Sequence, residues 1–429
     1  MASQIQEHSL MGRDNERSTR ELRIGFVGAG FIADFHLKAF AQVRNAVIAG
    51  VFSPRRDTRE TFASKADAAE LGPCRAYATL EEIVSSEDLD ALWILSPNDT
   101  RLDVMRALAN ARTSARSSIR YVACEKPLAR SLAEAKEMVA LAEKANVLTG
   151  YLENQIFSTA VERGKEIIWR RAVPSGGRPY LARAAEEHAG PHKPWFWTPE
   201  RQGGGVLSDM MCHSVEVGRF LLTDPAAARR SLKLVSVQAT TANLKWTPER
   251  VKRELLRAGF SKEESSIGHV AEDFARGVLT FEDELGARLI VEATTSWAYV
   301  GPGLRIDLSV MGPEYSMEFS SLQTGLRVFL GRNISGAEGE DLVEKQNAEQ
   351  GLMPVIDDEP SLYGYVAENR HFVDSFRKCR EPVETFADGL EVVRMIMALY
   401  KSAESGATVD LPDDELDEYV PAVMRASQL

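Results

Sequence analysis

The sequence predicts an α/β protein in which parallel βαβ units precede a second region built on a mainly antiparallel sheet. Three observations predict it. Arg23 to His36 passes from an apolar run, Ile24 to Val27, through Gly28-Ala29-Gly30 into helical spacing from Phe31, the pattern of buried strand, glycine turn and helix. Further apolar runs up to Tyr151 are separated by helical stretches, which implies parallel strands. From Tyr180 onward, strand-like runs follow one another without intervening helices, which implies antiparallel pairing.

In the first region the strands are Ile24 to Val27, Ala46 to Phe52, Leu89 to Leu95, Tyr121 to Cys124 and Val147 to Tyr151. Leu132 to Ala145 holds good helix formers throughout, and Thr113 to Ile119, rich in Ser and Arg, reads as an exposed loop. This region is expected to end near Glu153. Ser158 to Arg171 then reads as a helix stopped by Pro174-Ser175-Gly176-Gly177. Strands are expected at Tyr180 to Glu186, Leu232 to Thr240, Val270 to Phe281, Ala287 to Ala298, Arg305 to Met311 and Tyr315 to Phe319. Ser335 to Pro360 is polar and acidic and reads as a long surface excursion, while Glu368 to Lys378 and Gly389 to Ala403 are amphipathic helices that could pack on either region. There are no internal repeats.

With 429 residues, 44% hydrophobic and 27% charged, the chain is long enough for two sizeable cores. Its formal net charge of -12 argues against a general nucleic-acid or anionic-membrane binder, since both need a basic field, and favours a small-molecule partner. Cys74, Cys124, Cys212 and Cys379 are scattered without CxxC spacing, so neither a structural metal nor a disulfide framework is expected. No stretch approaches membrane-spanning length, and Met1 to Arg20 is polar without a signal-peptide core. The expectation is a cytoplasmic enzyme with a flexible tail over residues 1–22.

Gly28, Gly30 and Ala33 fit a dinucleotide fingerprint, in which glycines let backbone amides approach a pyrophosphate at the positive end of the next helix, here begun by Phe31 and Ile32. Ser53 stands where an acid on the adenosine ribose is usual. Ser53-Pro54-Arg55-Arg56 could instead accept a 2'-phosphate, or be a solvated turn, so NAD against NADP stays open.

Two polar clusters fall at the carboxyl ends of parallel strands, Ser96-Pro97-Asn98-Asp99-Thr100 and Glu125-Lys126-Pro127. Beside a cationic nicotinamide the Lys126 amine would have its pKa lowered, making it usable in proton transfer; alternatively it is a surface lysine paired with Glu125. Gly203-Gly204-Gly205 opens a helix that puts Asp209 and His213 on one face at i, i+4, where an acid could orient and charge a histidine for proton transfer. A plain helix pair is the other reading. Upstream, His188, His192 and Lys193 combine with Trp195 and Trp197. Such a group could stack on a pyranose and bind an anionic substituent, or be a Trp-rich packing loop with solvated cations.

In order, Gly28-x-Gly30-x-x-Ala33, Ser96-Pro97-Asn98, Glu125-Lys126-Pro127, and the three glycines followed by Asp209 and His213 resemble the Gfo/Idh/MocA oxidoreductase family, from Arg23 to about Pro412. The resemblance implies a Rossmann domain over residues 23–153, then a substrate-binding and oligomerising α/β domain over 154–429 with a large open sheet. It implies homodimers or homotetramers, an NAD or NADP cofactor, and hydride transfer from a carbon bearing a hydroxyl on a sugar or cyclitol. Lys126 matches the lysine of the family's EKP motif, and Asp209 and His213 match its acid and histidine facing the substrate. Pro97 and Asn98 match the segment beside the nicotinamide. Asp99 and Arg101 stand where many members have histidines.

The first functional expectation is a nicotinamide-dependent sugar dehydrogenase without a metal. The second is a glycoside hydrolase on the same scaffold, working by transient C3 oxidation, elimination and re-reduction on an anionic glycoside such as a sulfoquinovoside. Tyr151, Arg183, His188, His192, Lys193 and Trp195 are the candidate substrate contacts beside Lys126, Asp209 and His213. A non-catalytic regulator requires the catalytic positions to be lost, and they are present.

Overall fold

The structure is a computed structural model describing residues 20–228, 231–323, 327–330, 351–354, 356 and 358–425. Six parallel strands form the first sheet: β1 (Leu22–Val27), β2 (Ala46–Phe52), β3 (Arg75–Tyr77), β4 (Ala91–Ile94), β5 (Tyr121–Glu125) and β6 (Leu148–Leu152). Their order is β3-β2-β1-β4-β5-β6. The connecting helices are α1 (Phe31–Phe40), α2 (Arg56–Ala68), α3 (Leu80–Val84), α4 (Arg101–Thr113) and α5 (Leu132–Ala145). Helices on both faces explain why β4 and β5 are buried at every position rather than alternating. Strand order reverses between β1 and β4, so a crevice opens beyond their carboxyl ends.

The second sheet is mixed and mainly antiparallel, as expected. It contains β7 (Leu181–Glu187), β8 (Lys233–Ala242), β9 (Phe274–Glu282), β10 (Arg288–Ser296), β11 (Arg305–Gly312), β12 (Tyr315–Ser320) and the short β15 (Val409–Asp410). The order is β12-β11-β7-β10-β9-β8-β15, with only β7 and β10 parallel. Strands β13 (Arg327–Leu330) and β14 (Gly351–Pro354) pair as a separate ribbon. Burial alternates along β7, β9, β10 and β11 because one face packs under helix α7 (Val206–Leu222) and the other stays open. Gly218 lets the helix approach closely, since a Cβ there would lie 2.4 Å from Val291. Helix α6 (Thr159–Ile167) precedes this sheet, and α8 (Pro248–Arg257) lies in the β8–β9 connection.

Helix α9 (Tyr365–Arg377) returns to the first sheet, where Phe376 stacks on Tyr121 at 5.0 Å and Tyr365 packs on Phe35 at 4.7 Å. Helix α10 (Phe386–Ser405) starts at a Thr385–Asp388 capping box and packs against α5, α7 and β8. No helix of the described residues is long and apolar enough to cross a membrane.

Two sequence expectations change, and two lie largely outside the described residues. Pro174 does not stop the helix, because a wide turn over Ile168–Ala172 passes into a last turn at Val173–Gly176 whose start needs no Pro174 donor; Gly177, at φ 80°, ends it. The strand expected from Val270 starts at Phe274, since Asp273 accepts bonds from the backbone N–H groups of Leu244, Lys245 and Trp246 and holds the loop base instead. The excursion over Ser335 to Pro360 lies mostly outside the described residues, although Gly351–Pro354 is a strand and Glu359–Leu362 a helical turn. The flexible tail over residues 1–22 likewise lies outside them as far as residue 19.

Candidate active site

A cavity of about 1280 Å³ runs along the carboxyl edge of the first sheet and under the second. At one end it is lined by Gly28, Gly30, Phe31, Ile32, Ser53 and Arg55. Gly28 has φ 113°, and a Cβ there would meet the Leu95 carbonyl at 2.7 Å, whereas nothing lies within 4 Å of a Cβ on Gly30. The tight turn is thus set by Gly28, and Gly30 leaves open space before α1, whose N-terminus no side chain caps. Uncapped amides facing open space fit a pyrophosphate. Gly28→Ala is therefore expected to cost about 1–3 kcal/mol of stability and to weaken dinucleotide binding, read by thermal melting and by NADH fluorescence. Arg55 faces the cavity, but Arg56 turns away to Glu60 at 2.7 Å.

Farther along, Ser96, Pro97, Asn98, Glu125 and Lys126 line the same cavity. Asn98 donates through Nδ2 to the Gln202 carbonyl at 2.7 Å, tying this segment to the turn before α7. Arg101 is buried, and its guanidinium donates to the carbonyls of Ser96, Glu125 and Pro127, so it cross-links the two strand ends at the cavity wall. Asp99 pairs with Arg201 at 2.8 Å. Behind Glu125 runs a buried chain. Trp93 Nε1 donates to Asn369 Oδ1 at 2.9 Å, Asn369 Nδ2 donates to His36 Nδ1 at 2.9 Å, and His36 Nε2 donates to Glu125 Oε1 at 2.9 Å. Glu125 Oε2 in turn accepts the Lys126 backbone N–H at 3.0 Å. Burial opposes the Glu125 charge, but His36, Lys126 and Arg101 outweigh it and hold the carboxyl below its ordinary range.

Lys126 Nζ donates to the Asp209 carbonyl at 2.9 Å and lies 3.4 Å from Asp209 Oδ1. It is not a surface lysine paired with Glu125; its ammonium is largely buried and paired with Asp209. Burial works against its charge, yet the carboxylates of Asp209, Glu186 and Glu125 prevail and hold the ammonium above the lysine range.

The pairing of Asp209 with His213 is also corrected. His213 Nδ1 donates instead to Glu153 Oε1 at 2.6 Å, because Asp209 is drawn to Lys126 and β6 ends against the next turn of α7. Burial opposes an imidazolium, but Glu153 and Glu186 outweigh it, so His213 titrates above its usual value. The helix itself is anchored through the glycines. Gly204 has φ 134°, with Tyr400 where a Cβ would stand, and Glu272 accepts from the Gly205 and Leu207 N–H groups, both at 3.1 Å.

His188, His192, Lys193 and Trp195 line the cavity as well. The cluster is less cationic than expected: burial pushes His188 down to about 4, and its Nδ1 accepts the Gly190 N–H at 3.0 Å. His192 meets Phe31 edge-on at 5.1 Å and Trp195 stacks on Phe196 at 3.9 Å, while Trp197 is buried against Trp246 and Trp297. Two candidate contacts are absent from the lining. Tyr151 is fully buried behind it. Arg183 lies on the open sheet face, paired with Glu292 at 2.8 Å, because the alternation along β7 turns it away from the site. Arg183→Ala is expected to leave kcat/KM within about twofold, as an exposed pair contributes little; steady-state kinetics checks this.

Sequence reading missed Glu153, Glu186 and His36. Glu153 follows the last parallel strand directly, so the rule that ligands sit at carboxyl ends could have found it; nothing local marks the other two.

Residues 22–152 match the family described as an oxidoreductase family with an NAD-binding Rossmann fold, and residues 170–317 match its GFO/IDH/MocA C-terminal domain. The 1,5-anhydro-D-fructose reductase of Ensifer adhaerens is 25% identical over 394 residues, spanning 91% of this chain and 98% of that protein. Levoglucosan dehydrogenase of Pseudarthrobacter phenanthrenivorans is 25% identical over 420 residues, spanning 92% and 99%. The crystal structure of GenD2 from gentamicin A biosynthesis in complex with NAD shares the fold at a TM-score of 0.72 and 23% identity, covering 92% of this chain and 97% of that one. The first two are named a reductase and a dehydrogenase, and the glycosidase reading gains no support from them. With both regions matched and a crevice that fits the dinucleotide, the chain is a nicotinamide-dependent oxidoreductase and belongs to the Gfo/Idh/MocA family.

Proposed function

We propose that this enzyme oxidises a ring hydroxyl of a neutral sugar or cyclitol, with His213 as the proton acceptor and Lys126 as the donor that stabilises the developing alkoxide. The observation that carries this is the placement of Lys126, Asp209 and the Glu153-bound His213 in one cavity with the dinucleotide crevice. When bound, the nicotinamide supplies the hydride acceptor. His213 spends Nδ1 on Glu153, which leaves Nε2 to take the hydroxyl proton, and the Glu153 carboxylate stabilises the imidazolium that results. Lys126 stays charged and is aimed by Asp209, so its remaining protons can hydrogen-bond the reacting oxygen.

A neutral substrate fits better than the anionic one expected at first. Glu186 and Asp209 line the inner cavity with Glu153 buried behind His213, and burial pushes His188 down to about 4. The reading is tested by incubating the protein with NAD+ or NADP+ and D-glucose, levoglucosan, myo-inositol or nitrophenyl glycosides. Reduction of the nicotinamide matched by sugar oxidation is expected; aglycone release without net reduction would sink it. Homodimers or homotetramers would use the open face of the second sheet, which sedimentation can test.

Because His213 must be neutral to accept a proton and its pKa lies above the usual 6.5, kcat/KM for oxidation should rise with pH through that raised value. Glu153→Gln removes the leading charge that raises it, so the acid limb should move to lower pH. A limb unchanged in that variant would assign the base elsewhere.

A further inference from the structure

Glu186 is the penultimate residue of strand β7, on the face turned to α7, where the preceding inward residues are Ala182 and Ala184. It lines the cavity, yet only 5% of it is exposed, and Oε2 has no hydrogen-bond partner among the described residues. Its neighbours supply charge but no bond. Lys126 is engaged by the Asp209 carbonyl and carboxylate, and His213 by Glu153. Thr295, its register partner on β10, also has an unpartnered hydroxyl, so that strand does not satisfy it. An ionised carboxylate only accepts, and a buried acceptor without a donor is costly. Packing gives no reason to keep one where alanines fill the rest of the strand face.

Two residues on, His188 faces the same cavity with Nδ1 occupied by the Gly190 N–H, so a neutral ring carries its proton on Nε2. Glu186 and His188 thus present an acceptor and a donor to the same cavity, two positions apart where β7 ends.

We propose that Glu186 accepts a hydrogen bond from a second substrate hydroxyl, adjacent to the one oxidised, with His188 donating to the oxygen beyond, so that this pair selects vicinal diols over deoxy sugars. This rests on the neutral-sugar reading. Burial drives the Glu186 carboxyl above its ordinary range while Lys126 and His213 oppose the shift, so a substrate donor would also favour the charged form.

The test compares wild type, Glu186→Gln and Glu186→Ala on levoglucosan, myo-inositol and D-glucose and on their monodeoxy counterparts. In the wild type, loss of the neighbouring hydroxyl should lower kcat/KM by about 10²-fold or more, because a site built to bond a hydroxyl rejects the analogue lacking it. In Glu186→Ala the parent sugar should fall toward the deoxy level and the discrimination shrink to about threefold or less. The acid limb set by His213 should also move to lower pH, a change that a purely structural role would not produce. Should Glu186→Ala fail to fold, the near-isosteric Glu186→Gln must show the same limb shift and a reduced ratio. Discrimination equal to wild type in a folded variant overturns the inference while leaving the neutral-sugar reading intact. If the wild type oxidises none of the sugars, that reading fails and this inference with it.

Discussion

Lys126→Met is expected to lower kcat by about 10²–10³-fold, the usual loss when a preorganised donor to a developing oxyanion is removed. The ammonium sits in a wall of carboxylates, where burial alone would strip its charge, and those carboxylates keep it protonated. On the proposed reading it donates rather than takes a proton. Asp209 fixes its direction through both a carbonyl and a carboxylate oxygen. Methionine keeps most of the stem volume and removes only the charge and its hydrogen bonds. NADH binding, followed by fluorescence, should survive because the turn at Gly28 and Gly30 is untouched. Removal also leaves Asp209 and Glu186 without their cation, so a lower melting temperature is expected alongside the kinetic loss. A kcat within threefold of wild type would exclude Lys126 from the chemical step.

His213→Ala should cost about 10²–10⁴-fold in kcat for oxidation, the range associated with a positioned general base. Its pH profile should lose the acid limb that the wild type shows, leaving a residual rate that climbs with hydroxide. Added imidazole should recover part of the activity, since the cavity left beside Glu153 is lined for such a ring. Retention of the limb in this variant would point to another base. Together the two variants separate donor from acceptor: the lysine change removes stabilisation of charge at all pH values, and the histidine change removes a titration.

The half of the candidate site along the first sheet's edge was legible because its determinants are local. Gly28, Gly30, Ser96 to Asn98, and Glu125 with Lys126 all occupy strand ends, and parallel strands deliver their carboxyl ends to one edge whatever the rest of the chain does. The second half was legible by residue type but not by pairing. Asp209 and His213 share a helix face, as spacing predicts, yet each bonds a partner more than fifty positions away. Helical spacing fixes which side chains are neighbours on one element and says nothing of the strand that element packs against.

By itself the sequence determined two sheets of different pairing, the glycine turn, the lysine and histidine, and an acidic chain suited to a small molecule. Only the tertiary structure decided that Glu153 holds His213, that Arg183 points away, that Tyr151 is buried behind the cavity, and that His188 is uncharged. It also brought Glu186 to the cavity wall. These are outcomes of burial and of contact between distant segments. A side chain's charge depends on the dielectric and partners around it, and a β-strand's inward face is chosen by what packs on it, so neither is written in the neighbouring residues.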